Sequence, residues 1–84
     1  MAVFHRIKRI KPLPDYLLLA HFTTGERKCY DVKPLFAQIE PFKVLLTEKG
    51  LFERIHVDTG GYGIVWNADI DLSADEIWER GVSV

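Results

Sequence analysis

The sequence is 84 residues long, has a formal net charge of −1 at pH 7 and contains a single cysteine. A chain of this length buries only about two-thirds of the surface that its unfolded form exposes, which leaves little room for a deep pocket. One cysteine excludes an internal disulfide framework, and no stretch reaches the roughly 20 apolar residues that a membrane span requires. No signal-peptide pattern opens the chain. We therefore expect a single domain over residues 1–84 that is soluble and cytoplasmic.

The charges are distributed unevenly along the chain. Residues 1–33 carry a net charge of +4, and residues 34–84 carry a net charge of −5. Such an asymmetry can serve a partner or a self-complementary dimer. It also disappears when the two halves interleave in space. This second interpretation is favoured, because halves of a sequence are not halves of a surface.

Residues 5–11 form a basic segment in which apolar residues alternate imperfectly. Ile7 and Ile10 have opposite parities, so one regular strand cannot bury both, whereas a β-bulge between them would. Pro12 and Pro14 predict the end of this strand, because proline has no N–H to donate to a neighbour. The basic residues suit phosphate contacts or an edge strand protected from aggregation. The edge strand is favoured, because no aromatic platform or recognition helix accompanies the charges.

Residues 16–36 are predicted to form the centre of the fold, as a strand, a turn, a returning strand and the start of a helix. Gly25 is free to adopt the positive φ that short hairpin loops require, and residues 27–30 form the returning arm. Asp31 and Pro34 are helix-start signals, and they predict a helix over about residues 33–39.

Both faces of the first hairpin strand are largely apolar, with Leu18, Ala20 and Phe22 on one and Leu17, Leu19 and His21 on the other. This pattern is typical of a central strand that is covered on both faces. Either residues 42–53 fold back over Leu17 and Leu19, or these side chains need cover from another protein. Cys29 lies on the returning strand without a histidine at a motif spacing. We interpret it as a small buried hydrophobic residue rather than a nucleophile.

The second half of the chain predicts short helices and a second hairpin. In chain order these are a helix interrupted at Pro41, helical turns at about 42–46 and 48–53, a strand over 54–58, a turn at 59–61 and a strand over 62–66. The glycines of the turn do not make a nucleotide-binding loop, because no helix start follows them. The predicted core contains Leu18, Phe22, Leu35, Ile55, Val57, Ile64 and Trp66.

The C-terminal segment predicts a short capped helix over about residues 73–80. Ser73 and Glu76 have the spacing of a capping box, in which each residue satisfies a backbone N–H of the other. Gly81 stands where a glycine commonly ends a helix. Ile77 is expected to pack inward, and Trp78 either packs at the rim or stays partly exposed.

No group of residues predicts catalysis or metal binding above chance. The three histidines, His5, His21 and His56, share no metal-ligand spacing. Asp69 and Asp71 could hold a divalent cation, but a water-facing strand edge is favoured because the other positions of an EF-hand loop are absent. There is no nucleophile elbow or Ser-His-Asp grouping. We expect no enzymatic activity, no cofactor and no metal.

Four segments together resemble a known family. They are I-K-P-L-P-D-Y-L-L near the start, F-T-T-G-E-R-K-C-Y-D-V-K-P-L in the middle, V-D-T-G-G-Y-G-I-V-W later, and D-L-S-A-D-E-I-W-E-R-G at the end. Their order resembles that of small bacterial proteins catalogued as domain of unknown function 2442, over about residues 5–81. The resemblance implies a compact α+β domain without an established enzymatic activity. It also implies that this chain is the antitoxin-like partner of a toxin-like protein. The resemblance assigns no functional residues.

The predicted fold is α+β, with an antiparallel sheet of about five strands, one helix packed across it and a short C-terminal helix. The predicted function is a small non-catalytic interaction domain, either a homodimer or the partner of a toxin-like protein. The alternative is a nucleic-acid-binding regulator that uses the basic N-terminal strand. The candidate partner-binding residues are Leu17, Leu19, Tyr62 and Trp78, because the leucines need cover and large amphipathic side chains are enriched in interfaces.

Overall fold

A computed structural model describes residues 5–84, which form an α+β fold with two antiparallel sheets. Sheet A has the strand order β1–β2–β3–β7, and sheet B has the order β4–β5–β6. The strands are β1 (Ile7–Leu13), β2 (Leu17–Phe22), β3 (Arg27–Asp31), β4 (His56–Val57), β5 (Gly63–Asn67), β6 (Ile70–Ser73) and β7 (Val82–Ser83). The α+β class is confirmed, but the prediction of one sheet of about five strands with one packed helix is wrong.

The helices are short and lie between the strands. They are α1 (Lys33–Gln38), α2 (Val44–Thr47) and α3 (Ala74–Arg80), with 3₁₀ turns at Pro14–Tyr16, Glu40–Lys43 and Phe52–Arg54. The predicted helix over 33–39 and the interruption at Pro41 are confirmed. Asp31 acts at the start of α1 as expected, since its Oδ1 accepts a hydrogen bond of 3.0 Å from the backbone N–H of Lys33.

The predicted bulge in β1 is present and determines which side chains reach the core. The register between β1 and β2 shifts between Ile7 and Arg9, so that Ile7 pairs with Phe22 and Arg9 pairs with His21. Ile7 is therefore buried, on the same side as Phe22, and Ile10 packs against the core as well. The strand continues through Pro12 and ends at Leu13, directly before Pro14, so the prediction is right for Pro14 and wrong for Pro12. Because β1 lies at the edge of sheet A, the missing N–H of proline is tolerated there.

The turn between β4 and β5 joins sheet B to the start of β1. Gly60 and Gly61 both have positive φ, at 93° and 81°. The backbone N–H of Ile7 donates to the carbonyl of Gly61 at 2.7 Å. A Cβ on Gly61 would lie 2.7 Å from the carbonyl oxygen of Ile7, so this contact requires glycine. The second hairpin thus meets β1 through its turn instead of extending sheet A, which explains why the strands form two sheets.

The core lies between sheets A and B and the short helices. Six of the seven predicted core residues are buried, and Val57 is half-buried against the core. The largest fully buried side chains are Leu18, Val32, Ile64, Ile70 and Ile77. Phe42, Leu45, Leu51 and Phe52 also enter this core, so residues 42–53 cover the side of β2 that carries Leu18.

Candidate interaction surface

Sheet A has one face toward the core and one face away from it, which we name the outer face. Directly paired residues of antiparallel strands share a face, so the register assigns each side chain. The outer face consists of Arg9, Lys11 and Leu13 of β1, Leu17, Leu19 and His21 of β2, Arg27, Cys29 and Asp31 of β3, and Val82 of β7.

The middle of the outer face is apolar. Leu19 pairs with Cys29, which pairs with Val82, and Leu17 lies two residues along β2. Leu17 and Leu19 are half-buried, and neither belongs to the core or to the hydrophobic side chains that pack against it. Val82 is 67% exposed. The alternative in which residues 42–53 fold over Leu17 and Leu19 is therefore wrong, because these residues pack in the core on the opposite face of β2.

Cys29 belongs to this apolar area and is half-buried rather than buried. Its neighbours across the strands are Leu19 and Val82, so it acts as a small apolar member of the face. The prediction of a buried cysteine is wrong, because Cys29 lies on the outer face of sheet A and the core lies on the other face.

One end of the outer face is basic. His21 pairs with Arg9 on β1 and with Arg27 on β3, and Lys11 lies beside them opposite Leu19. We name Arg9, His21 and Arg27 the basic row. Among residues 5–84, the ion pairs use other side chains and none uses Arg9, Lys11 or Arg27. Partial burial and the positive charges of Arg9, Arg27, Lys11 and Lys8 lower the pKa of His21.

Trp78 lies at a different place from Leu17 and Leu19. Its ring stacks on His5 with a centroid distance of 3.9 Å and meets Phe22 edge-on at 5.0 Å. The ammonium of Lys28 lies 4.8 Å from the centroid of the same ring. Because Phe22 and Lys28 point to the core side of sheet A, Trp78 packs at the rim of that side and is half-buried.

Tyr62 is the fourth candidate residue, and it lies in the turn between β4 and β5. It is 51% exposed, and the guanidinium of Arg6 lies 5.4 Å from the centroid of its ring. The structure thus places Leu17 and Leu19 together on the outer face and leaves Tyr62 and Trp78 on other parts of the surface.

The basic row is the feature that sequence reasoning missed. The hairpin register pairs His21 with Arg27, and this pair could have been found by counting outward from the turn at Gly25. Arg9 pairs with His21 only because the bulge in β1 shifts the register between Ile7 and Arg9. The exact position of this bulge is needed before the partner of Arg9 can be identified. The other signal of the basic row in the sequence was the excess of positive charge in residues 1–33.

A strained turn connects β1 to β2. Asp15 and Tyr16 have φ of 65° and 57°, which is unusual for residues other than glycine. Lys33 stabilises this turn, since its Nζ donates to the carbonyl of Asp15 at 2.6 Å and pairs with the carboxylates of Asp15 at 3.2 Å and Asp31 at 3.0 Å. Partial burial opposes ionisation of Asp31, but the hydrogen bonds from Lys33 dominate and lower the pKa of Asp31.

Two open grooves extend away from the outer face, and each is lined by one of its residues, Leu13 in one and Asp31 in the other. One, of about 480 Å³, runs between the strained turn and residues 45–53. The other, of about 530 Å³, lies between α1 and α3 and contains the hydrogen bond from the Tyr30 hydroxyl to Oε2 of Glu76, at 2.8 Å. Burial, this hydrogen bond and the negative charge of Glu76 raise the pKa of Tyr30.

The described part of the chain, residues 5–84, contains no group of three or more histidine, cysteine, aspartate or glutamate side chains that could hold a metal ion. Asp71 is exposed on β6, at the edge of sheet B, as the interpretation of a water-facing strand edge expects. No helix within residues 5–84 has both the length and the apolar character that crossing a membrane requires.

Comparisons with known proteins support the fold. A family model described as "Protein of unknown function (DUF2442)" matches residues 7–83. No curated protein matches the chain. A solved structure, the "Crystal Structure of Putative DNA Binding Protein NE0471 from Nitrosomonas europaea ATCC 19718", is similar with a TM-score of 0.74 and 21% identity. The match covers 92% of this chain and 48% of that one, so the chain spans about half the length of the solved protein.

Proposed function

We propose that this chain, which belongs to the DUF2442 family of proteins of unknown function, is a non-catalytic domain that binds a protein partner through the outer face of sheet A. The observation that carries the proposal is the uncovered apolar area around Leu17 and Leu19. A sheet whose face is apolar is stabilised by packing that face against another layer. Within residues 5–84 the second layer covers only the core side.

The outer face combines an apolar area with a polar end, as interfaces do. A stable protein–protein interface buries about 800 Å² on each partner, with an apolar centre and a polar rim. The outer face has an apolar area of Leu17, Leu19 and Val82 next to the basic row, and Asp31 lies beside Leu17. The partner is a toxin-like protein, as the family resemblance implies, or a second copy of this chain.

The proposal is tested with two matched variants. Leu19→Glu places a charge in the apolar area of the outer face. Leu46→Glu places the same charge on α2, at a leucine that is 50% exposed outside sheet A. Affinity capture from the native host, with mass spectrometry, identifies a heterologous partner, and light scattering over a tenfold concentration range measures self-association.

We expect the wild type and Leu46→Glu to bind the same partner or to form the same dimer. We expect Leu19→Glu to lose this binding. Circular dichroism of each variant verifies that the fold is intact. A wild type that is strictly monomeric and captures no protein contradicts the proposal. Binding that is unchanged in a folded Leu19→Glu variant contradicts it as well.

A second candidate function is nucleic-acid binding, and it is favoured by the positive charges of Arg9, Lys11 and Arg27, which form no ion pair within residues 5–84. The name of the similar protein from Nitrosomonas europaea agrees with this candidate. Its support is limited, because this chain matches only 48% of that protein. The outer face also has no aromatic platform for stacking bases, and Leu17, Leu19 and Cys29 lie where phosphate contacts would be needed.

Salt dependence distinguishes the two candidates. If phosphates bind the basic row, the logarithm of affinity falls with the logarithm of salt concentration at a slope of about 0.9 per phosphate contacted. We expect no measurable binding of DNA or RNA at physiological salt. Sub-micromolar binding that Arg9→Glu and Arg27→Glu abolish would make nucleic-acid binding the leading function.

A further inference from the structure

We propose that the basic row of Arg9, His21 and Arg27, together with Lys11, recognises the carboxylates of an acidic segment of the protein partner. This inference rests on the proposed function, and it specifies the chemistry of the partner. It adds that binding strengthens as the pH falls through the range in which His21 gains a proton.

The first argument is geometric. The three side chains of the basic row lie on neighbouring strands at directly paired positions and on the same face. Neighbouring strands are about 4.8 Å apart, so the row spans about 10 Å across the sheet. Two carboxylates on one short segment can reach both arginines, because each arginine offers a planar fork that matches a carboxylate.

The second argument is that these charges are not neutralised within the described part of the chain. Lys33, Lys43, Arg54 and Arg80 each pair with a carboxylate. Arg9, Lys11 and Arg27 form no such pair among residues 5–84, although they surround one histidine. A cluster of like charges without counter-ions favours binding of an anionic partner and disfavours a basic one.

The third argument concerns the spacing between the basic row and the apolar area. Leu19 lies two residues from His21 along β2, and Leu17 two residues further. Alternate residues of an extended chain are about 6.6–6.8 Å apart, so an extended segment that follows β2 can place acidic and apolar side chains over matching positions. The apolar neighbours favour a protein over a nucleic acid, whose phosphates would leave the leucines uncovered.

The pH dependence follows from the position of His21. Arg9 and Lys11 of β1 and Arg27 of β3 share the outer face with it, and the charge of Lys8, at the bulge of β1, also acts on it. These cations oppose protonation of the free protein, whereas a bound carboxylate favours it. Binding therefore takes up a proton, and affinity rises as the pH falls toward the pKa of His21 in the free protein.

The test uses the purified chain and a synthetic nine-residue peptide that contains two glutamates and then two leucines at alternate positions, with serines elsewhere. A matched peptide has glutamine in place of both glutamates. Binding is followed by NMR through the backbone amide resonances of sheet A in every variant, and also through the ring resonances of His21 where that residue is present. The variants are Arg27→Glu, the milder Arg27→Ala, His21→Gln, and Lys49→Glu as a control at an exposed lysine outside both sheets.

We expect the glutamate peptide to shift the His21 resonances and the glutamine peptide to bind more weakly. We expect Arg27→Glu to reduce the affinity about two- to fivefold, which is the upper part of the range for exposed ion pairs, and Lys49→Glu to leave it unchanged. Wild-type affinity rises as the pH falls below about 7.5 toward the pKa of His21 in the free protein, which lies below the usual histidine value of about 6.5, whereas the His21→Gln variant loses this rise. Arg27→Ala gives a smaller loss of affinity than Arg27→Glu. It provides the measurement if the Arg27→Glu variant fails to fold.

Equal binding of the two peptides overturns the inference, as does unchanged affinity in both Arg27 variants. Tighter binding of a single-stranded DNA oligonucleotide than of the glutamate peptide also overturns it. The proposed function fails separately. If Leu19→Glu abolishes capture of the natural partner while folded Arg27 variants retain it at full affinity, the outer face is the interface and the acidic partner is wrong.

Discussion

The hydroxyl of Tyr30 donates a hydrogen bond of 2.8 Å to Oε2 of Glu76, and this bond joins β3 of sheet A to α3. Glu76 also pairs with Arg80 one turn later, at 3.3 Å. The predicted capping box is therefore formed in one direction only. Ser73 Oγ accepts from the backbone N–H of Glu76 at 3.0 Å, but the Glu76 carboxylate is directed to Tyr30 and Arg80 instead of to the N–H of Ser73.

The hydrogen bond between Tyr30 and Glu76 predicts that a Tyr30→Phe variant is less stable than the wild type. Hydrogen bonds to charged groups contribute about 1.5–3 kcal/mol, so we expect the free energy of unfolding to fall by an amount in this range. Denaturant unfolding measures the change. The control is Tyr16→Phe, since the Tyr16 ring packs on Phe36 and Phe52 and its hydroxyl forms no hydrogen bond within the described residues. Equal losses in the two variants would contradict the prediction.

The raised pKa of Tyr30 predicts how stability depends on alkaline pH. The folded state holds the Tyr30 proton more tightly than the unfolded chain, whose tyrosine pKa is about 10. The contribution of Tyr30 to stability is therefore complete below about pH 10 and is lost as the pH rises above that value. Denaturant titrations at several alkaline pH values measure this slope. Tyr30→Phe should flatten it, and an unchanged slope in this variant would show that another group is responsible.

The approach of Gly61 to Ile7 predicts that Gly61→Ala destabilises the protein more than Gly25→Ala. Both glycines have positive φ, so each variant incurs about 1–2 kcal/mol of backbone strain. A Cβ at Gly25 meets nothing within 4 Å, whereas a Cβ at Gly61 would also clash with the Ile7 carbonyl at 2.7 Å. Thermal unfolding of the two variants measures the difference. Equal melting temperatures would show that the contact between the two sheets yields easily.

The cap at Ser73 predicts a smaller effect. Ser73→Ala removes the acceptor for the N–H of Glu76 and should lower the free energy of unfolding by about 1 kcal/mol, while Ser73→Gly should cost only a few tenths. Thermal or denaturant unfolding of both variants tests this order. If both variants unfold like the wild type, the first turn of α3 does not contribute to global stability.

The buried aromatic residues predict the largest losses. Phe22 is 2% exposed and Trp66 is 4% exposed, and the indole N–H of Trp66 donates to the carbonyl of Phe52 at 3.3 Å. Truncation of either residue to alanine should cost about 3–5 kcal/mol. This is a large part of the stability of a domain this small. Calorimetry or denaturant unfolding provides the measurement, and a variant that melts within a few degrees of the wild type would contradict the assigned core.

Much of the local structure follows from the sequence alone. The hairpin at Gly25, the helix that begins near Pro34, the bulge in β1 and the cap at Ser73 were all predicted, because each depends on neighbouring residues. Side-chain alternation, positive φ at glycine and the capping spacing act over a few residues and require no knowledge of the remaining chain. The apolar character of Leu17 and Leu19 was visible for the same reason.

The arrangement of these elements was decided by contacts between distant residues. The turn at Gly61 binds the backbone of Ile7, which leaves the second hairpin in a sheet of its own. The basic row exists because a bulge on β1 and the register of β2 with β3 bring Arg9 and Arg27 to His21. Which face of β2 is covered depended on where residues 42–53 pack. Strand pairing and packing join residues far apart in the chain, so periodicity within one segment does not specify them.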